Sequence, residues 1–324
     1  MGSQGPVVVL AGGTGGAKLA RGLLDVVDAE DLVVIANTGD DVEIYGAYVS
    51  PDPDLITFWL ADRIDERGWG LRDDTFAVMD GLRELGVDVW FNLGDRDLAI
   101  GLDRLRGLED GERLTVAQGR IATAFGVRAR VLPMSDRPVR TRVLAGHRWW
   151  PLQEFMIRHR AQGPIADVDF RHARAAAPTP EVMAALDGAR AIIVGPSNPV
   201  ISIGPILALP GVREAIAGTA APVVAVSPLV RGSVIKGPTA ACLEWARRTV
   251  DSAGIAACYG GLIDGLVSDE PLGGLPVLEA ELLMDSPEAR RRLAGETLQF
   301  ALGLASTAGV TTPRPRPTSR PDSV

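Results

Sequence analysis

Residues 7–18 read VVVLAGGTGGAK, and the fold is decided here. An apolar run rich in β-branched valine marks a buried strand. It passes directly into Gly12, Gly13, Thr14, Gly15 and Gly16, and the following periodicity predicts a helix over residues 17–27. Backbone N–H groups in a glycine-rich turn approach an anion closely, and the positive end of a helix dipole points at the same spot. The turn therefore reads as a phosphate cradle, with Lys18 beside it. Spacing excludes two common cradles. A dinucleotide fingerprint needs a small residue where Lys18 stands. A Walker A loop needs glycine before the lysine and Ser or Thr after it, where this chain has Ala17 and Leu19.

Outward from this stretch, further buried strands are expected over 32–36, 191–194 and 222–226, separated by helical patterns. The rhythm predicts an α/β protein: a Rossmann-like, mostly parallel sheet with helices on both faces and a small α+β insertion. Such sheets bind ligands outside the carboxyl ends of their strands. The insertion is placed at 137–178, with a hairpin of 139–145 and 148–151 around Gly146-His147, a helix over 153–160 and a short strand at 168–170. One Rossmann-like domain is expected over 1–312, and a disordered Pro/Arg tail over 313–324.

Composition narrows the function. A net charge of −8 disfavours non-specific nucleic-acid binding. No apolar run approaches the roughly 20 residues of a membrane span, and no secretory leader pattern opens the chain. Two cysteines and three histidines, none at metal-ligand spacing, leave no disulfide framework and no structural zinc site. The expected location is the cytoplasm, and the expected partners are small molecules.

Polar motifs follow the strands. After the second comes Asn37-Thr38-Gly39-Asp40-Asp41, then Ser50-Pro51-Asp52-Pro53-Asp54. Magnesium takes one or two carboxylates and completes its shell with water and substrate phosphate, so one or more of Asp40, Asp41, Asp52 and Asp54 is a candidate ligand. Helix capping is the plainer reading of Asp54. In Leu93-Gly94-Asp95-Arg96-Asp97, Asp95 reads as a helix cap. Arg96 reads either as a surface ion pair or as a contact to phosphate. Ser197 and Asn198, after the 191–194 strand, make a turn or bind a nucleotide. No nucleophile elbow, His-based triad or C-x-x-C is present, which favours phosphoryl-type transfer without a covalent enzyme intermediate.

Taken in order, GGTGGAK, NTGDD, SPDPD, RDDTF, LGDRDLA, LPMSD, GPSNPVISIGPIL and AVSPL form a specific series. From about residue 7 to 300 it resembles the 2-phospho-L-lactate transferase family of coenzyme F-420 biosynthesis. The resemblance implies a Mg²⁺-dependent, dimeric enzyme. Its donor is a guanylylated three-carbon phosphoacid carrying phospholactate, phosphoenolpyruvate or phosphoglycerate. The phospho-acid passes to the ribityl hydroxyl of the deazaflavin Fo, with release of GMP. By motif, the deazaflavin contacts fall on Asp54 and on Asn92, where the family carries a basic residue. Gly12–Gly16, Lys18, Ser197 and Asn198 would serve the nucleotide. Asp40 and Asp54 would hold the metal, Asp54 or Asp41 would take the proton, and Arg96 would neutralise donor charge. On that reading Asp54→Asn cuts turnover more than stability. A nucleotide-sugar-binding regulator of related fold is the first competing reading, and an NAD-dependent oxidoreductase is the second.

Overall fold

A computed structural model describes residues 5–308; the tail expected at 313–324 lies outside the described residues. Seven strands form the central sheet: β1 (Val7–Ala11), β2 (Leu32–Ala36), β3 (Arg130–Pro133), β4 (Ala191–Val194), β5 (Val223–Val226), β6 (Gly265–Ser268) and β7 (Val277–Glu279). Their order is β7-β6-β5-β4-β1-β2-β3, and every neighbouring pair is parallel. The pleat sends alternate residues to opposite faces. Val8, Leu10, Val33 and Ile35 enter one core. Val7, Val9, Leu32 and Val34 enter the other. The second core is closed by the helices Gly13–Leu23, Pro51–Leu60 and Pro287–Ala308, through Leu19, Leu23, Ile56 and Leu293. The first is closed by Pro180–Asp187, Gly204–Leu207 and Val212–Gly218, through Leu186, Ile206 and Val212. Helices on both faces force near-continuous apolar strands, which is why these runs were legible. No helix among the described residues is long and apolar enough to cross a membrane.

From β1 the chain builds outward through β2 and β3, then returns to lay β4 on the other side of β1. The strand order therefore reverses between β1 and β4, and a crevice opens beyond their carboxyl ends. Two loops meet there. The Gly12 N–H donates to Ser197 Oγ at 3.2 Å.

The first helix starts earlier than the pattern suggested. It spans Gly13–Leu23, not residues 17–27, with extended Gly12 at its N-cap position, so the glycine turn is itself the first helical turn. Close packing is the reason. A Cβ on Gly15 would lie 2.1 Å from the Pro196 carbonyl oxygen, and one on Gly16 would lie 2.7 Å from Ser197 Oγ. Gly15→Ala is thus expected to destabilise the protein by about 3 kcal/mol, since backbone must move to admit the methyl. Gly13→Ala meets nothing within 4 Å but forces a side chain to φ +66°, at about 1–2 kcal/mol. Urea unfolding of both variants checks the order; equal losses would remove the contact with Pro196 as the cause.

Two inserts overhang the crevice. Between β2 and β3 lie a hairpin, Val42–Ile44 with Ala47–Val49, and the helices Pro51–Leu60, Ala77–Glu84, Asp95–Glu109 and Leu114–Ala124. Only two of those helices were expected. Between β3 and β4, Arg140–Ala145 pairs antiparallel with both Arg148–Pro151 and Ile165–Arg171. The hairpin sits where the Gly-His turn put it. The helix after it is shorter, Leu152–Ile157, and the third strand is longer than the apolar run alone indicated.

Candidate active site

A cavity of ≈ 520 Å³ fills the crevice. Its wall combines two kinds of residue. Gly13, Asn37, Asp40, Asp52, Gln153 and Ser202 are polar. Phe58, Trp69, Trp90 and Phe91, with Leu55 and Met156, are apolar and mostly aromatic. Among the described residues lining it, Lys236 is the one cation.

The polar group is organised by Asn37, immediately after β2. Its Nδ2 donates to Asp52 Oδ2 at 2.9 Å and lies 3.5 Å from Asp40 Oδ1. Its Oδ1 accepts the Gly39 N–H at 2.8 Å. Asp52 Oδ1 accepts the Gly13 N–H at 2.6 Å, and Asp40 Oδ2 accepts from Gln153 Nε2 at 2.9 Å. Burial is the main reason both carboxyls titrate high. Asp40 is pushed well above the usual carboxylate range, with Asp52 and Asp41 adding repulsion. Asp52 is pushed up to about 6, held back by its bonds to Asn37 and Gly13.

The carboxylate beside Asp40 is thus Asp52, not the expected Asp54. Both lie in the first turn of Pro51–Leu60, with Ser50 rather than Asp54 at the N-cap position. Residues two apart on a helix do not face the same way. Asp54 turns to Arg104, whose two terminal nitrogens fork onto its two carboxylate oxygens, although Asp54 still touches the cavity. Asp41 lies behind the wall. It accepts from Ser50 Oγ at 2.7 Å and Tyr48 OH at 3.0 Å, and burial pushes it up to about 7.

In the glycine turn two of the five N–H groups are already bonded. The Gly12 N–H is taken by Ser197 and the Gly13 N–H by Asp52, and of Gly12–Gly16 only Gly13 lines the cavity. Thr14, Gly15 and Gly16 belong to the helical turn beside it. Lys18 lies over the Trp59 ring at 5.7 Å, outside the cavity; burial, then Arg290, lowers its pKa. Ser197 and Asn198 shape their loop: Asn198 Oδ1 accepts the Val200 and Ile201 N–H groups at 2.9 and 3.1 Å. That places Ile201 and Ser202, rather than Ser197 and Asn198, on the cavity wall.

Arg96 opens the Asp95–Glu109 helix with its side chain exposed and off the cavity wall; its N–H donates to Asp74. Gly94, not Asp95, takes the cap position there. The Asp95 carboxylate instead accepts from Thr75, Ala77 and Val78, fastening the neighbouring helix. Asn92 does line the cavity, and its Oδ1 accepts from an Arg83 terminal nitrogen at 2.7 Å.

Several wall residues escaped the sequence reading: Trp69, Trp90, Phe91, Gln153, Ser202 and Lys236. The signal for one pair was adjacency, since Trp90-Phe91 immediately precedes Asn92-Leu93-Gly94-Asp95. As donors, Asp40 and Asp52 offer hard carboxylate oxygens on two loops. Among the described residues no group of three His, Cys, Asp or Glu side chains forms a ready metal cage. Two carboxylates with space for water and phosphate fit magnesium better than zinc.

Comparison with known proteins adds the following. A family model described as 2-phospho-L-lactate transferase CofD matches residues 7–272. A 2-phospho-L-lactate transferase of Methanosarcina mazei is 35% identical over 303 residues, covering 90% of this chain and 99% of that protein. A phosphoenolpyruvate transferase of Thermobifida fusca is 37% identical over 318 residues, covering 92% and 98%. A crystal structure of a upf0052 family member from Bacillus halodurans aligns with TM-score 0.59 at 16% identity. It covers 92% of this chain and 100% of that one, a likeness of fold alone.

Proposed function

The chain belongs to the 2-phospho-L-lactate transferase family, and from that premise we propose the reaction it carries out. It moves the phospho-acid portion of a guanylylated three-carbon acid, phospholactate, phosphoenolpyruvate or phosphoglycerate, onto the ribityl hydroxyl of the deazaflavin Fo. GMP leaves, and the product belongs to coenzyme F-420 biosynthesis. One observation carries the reading: a single cavity joins paired carboxylates to a wall of aromatic rings. A transfer from a diphosphate to the side-chain hydroxyl of a planar heteroaromatic needs both surfaces in one site, separated by the length of the ribityl chain.

The residues take these parts. Asp40 and Asp52 would hold Mg²⁺, which when bound neutralises charge on the donor's diphosphate. Asn37 fixes both carboxylates, and Gln153 fixes Asp40 from the opposite insert. Trp69, Trp90 and Phe91 offer faces and edges against which a flat ring packs. The Fo hydroxyl oxygen attacks the phosphorus bearing the acid as its proton passes to a carboxylate on the cavity wall, and the bond from that phosphorus to the GMP oxygen breaks. Positioning and charge stabilisation supply most of what such a step needs.

Lys236 takes the place that Arg96 was expected to fill. It stands on the wall beyond the Ser233–Val234 strand, and among the described residues no hydrogen bond to a protein acceptor holds it. Lys236→Ala is expected to lower kcat/KM for the donor by roughly 10–100-fold, with Lys236→Arg retaining part of it and Arg96→Ala near wild type. Steady-state kinetics on the three variants checks this. If Arg96→Ala loses more than Lys236→Ala, the assignment is reversed.

The reaction itself is tested by incubating purified protein with Fo, Mg²⁺ and each of the three guanylylated donors, followed by mass spectrometry. A deazaflavin mass gain matching one acid, with GMP released, is expected. A folded protein that makes no product with any donor would overturn the reading in favour of a nucleotide-sugar-binding regulator.

A further inference from the structure

Asp97 has no part in the roles above, yet it lines the same cavity. It sits in the first turn of Asp95–Glu109, two residues beyond the carboxylate that fastens the neighbouring helix. Its Oδ1 is buried and has no hydrogen-bond partner. Among the described residues it is the one carboxylate oxygen in that condition. The acids around it are occupied: Asp54 by Arg104, Asp95 by Thr75, Ala77 and Val78, and Asp74 by the Thr75 and Arg96 N–H groups. Arg67, the cation whose field reaches Asp97, donates its Nε to Asp65 and stacks on Trp69 at 4.4 Å.

A buried acceptor without a partner costs about 1–3 kcal/mol, more for a charged one. Here burial, then the Asp54 and Asp74 carboxylates, push the Asp97 carboxyl up to about 7, with the Gly94 N–H and then Arg67 holding it back. The carboxylate edge that lines the cavity can take a hydrogen-bond donor brought by a ligand. The neighbourhood suits a flat ligand. Gly70, the residue after Trp69, passes so near that a Cβ on it would sit 3.3 Å from Asp97 Oδ2. Asp97 therefore lies beside the aromatic wall, with Trp69 next in sequence to its close neighbour.

We propose that Asp97 is a specificity-determining residue for the acceptor ring, the carboxylate edge that lines the cavity accepting from a ring N–H or ring O–H of the flat heteroaromatic ligand. The inference rests on the deazaflavin reading above. In a deazaflavin the matching donors are the imide N–H and the ring hydroxyl, at opposite ends of the ring system.

The test measures binding of Fo, and of Fo methylated at the imide nitrogen or at the ring hydroxyl, by deazaflavin fluorescence. The full chain is compared with Asp97→Ala and the near-isosteric Asp97→Asn. At about pH 8, above the value to which the Asp97 carboxyl is pushed, one methylated analogue should bind wild type about tenfold or more weaker than Fo, the worth of one hydrogen bond to a charged acceptor. In Asp97→Ala that ratio should fall towards one, and Asp97→Asn should lie between. A merely structural role would weaken Fo and its analogues alike and leave the ratio intact. An unchanged ratio in both variants would overturn the inference while leaving the transferase reading standing. Failure of wild type to bind or convert Fo would overturn the two together.

Discussion

Asp40→Asn is expected to lower kcat/KM by roughly 10²–10³-fold while raising the melting temperature of the metal-free protein by roughly 2–4 °C. The two effects share a cause. Asp40 is buried beside Asp52 and Asp41, and each of these conditions disfavours its charged form. An asparagine of the same shape still accepts from Gln153 and gives up only the long 3.5 Å approach to Asn37. It removes the repulsion, and with it the feature that would attract a cation. Folded carboxyls titrating high contribute stability that is complete below their unfolded value of 3.8 and lost as pH rises through the folded value. For Asp52 that folded value is about 6, and for Asp40 it too lies well above the ordinary carboxylate range. Between about pH 4 and pH 7 this pair therefore makes the metal-free protein less stable as pH rises, and the Asn variant should show a shallower slope. Mg²⁺ should raise the melting temperature of wild type and leave the variant nearly unmoved. Thermal melts at pH 5 and 7.5, with and without Mg²⁺, read all three quantities. Wild-type turnover in the variant would remove Asp40 from the chemistry; an unchanged slope would remove the repulsion.

The parts of the fold that were legible in the sequence are those whose cause is local. β1, β2, β4 and β5 are runs of Val, Ile, Leu and Ala because both faces of the sheet are covered. The Gly146-His147 turn announced its hairpin because turn chemistry is local as well. The glycine turn was legible as a strand-to-helix junction, but its purpose was not. The atoms that require glycine belong to Pro196 and Ser197, 185 positions beyond Gly12 in the case of Ser197. The candidate site divides the same way. Asp40 and Asp52 could be singled out as carboxylates after a strand, but their pairing depends on which way each leaves its backbone. Trp69, Trp90 and Phe91 stand in segments without periodicity, so apart from the adjacency of Trp90-Phe91 to Asn92 nothing in the sequence said that they share a wall. Arg104 is the clearest omission. In DRDLAIGLDRLRGLE it is one arginine among several charges on what reads as a solvated helix, and its partner Asp54 lies 50 residues earlier.

Arg104→Met is expected to cost about 3–5 kcal/mol of folding stability, the usual consequence of leaving one member of a buried ion pair without the other. Arg104 has no exposed surface. One terminal nitrogen donates to the Tyr48 carbonyl at 3.0 Å and to Asp54 Oδ2 at 3.1 Å. The other donates to Asp54 Oδ1 and to Gln118 Oε1 at 3.2 Å. Gln118 in turn donates to Thr57 Oγ1 at 2.9 Å. One guanidinium thereby ties Asp95–Glu109 to Pro51–Leu60, Leu114–Ala124 and the Ala47–Val49 strand, and three of these four elements line the cavity. Arg104→Lys should recover little, because an ammonium cannot span both carboxylate oxygens and the amide as a planar fork does. The double variant Arg104→Met with Asp54→Leu should return to within about 2 kcal/mol of wild type, since removing both charges also removes their desolvation cost. Urea unfolding reads these differences, and a loss below about 1 kcal/mol in Arg104→Met would mean that packing, not the pair, holds the helices. The same double variant separates two roles for Asp54. The geometry makes Asp54 first an anchor for Arg104, so Asp54→Asn should lose stability before it loses turnover, the reverse of what the sequence suggested. A stable double variant that still transfers would leave Asp54 with the anchoring role alone. A stable double variant that binds no Fo would give its cavity-facing edge a direct part in holding the acceptor.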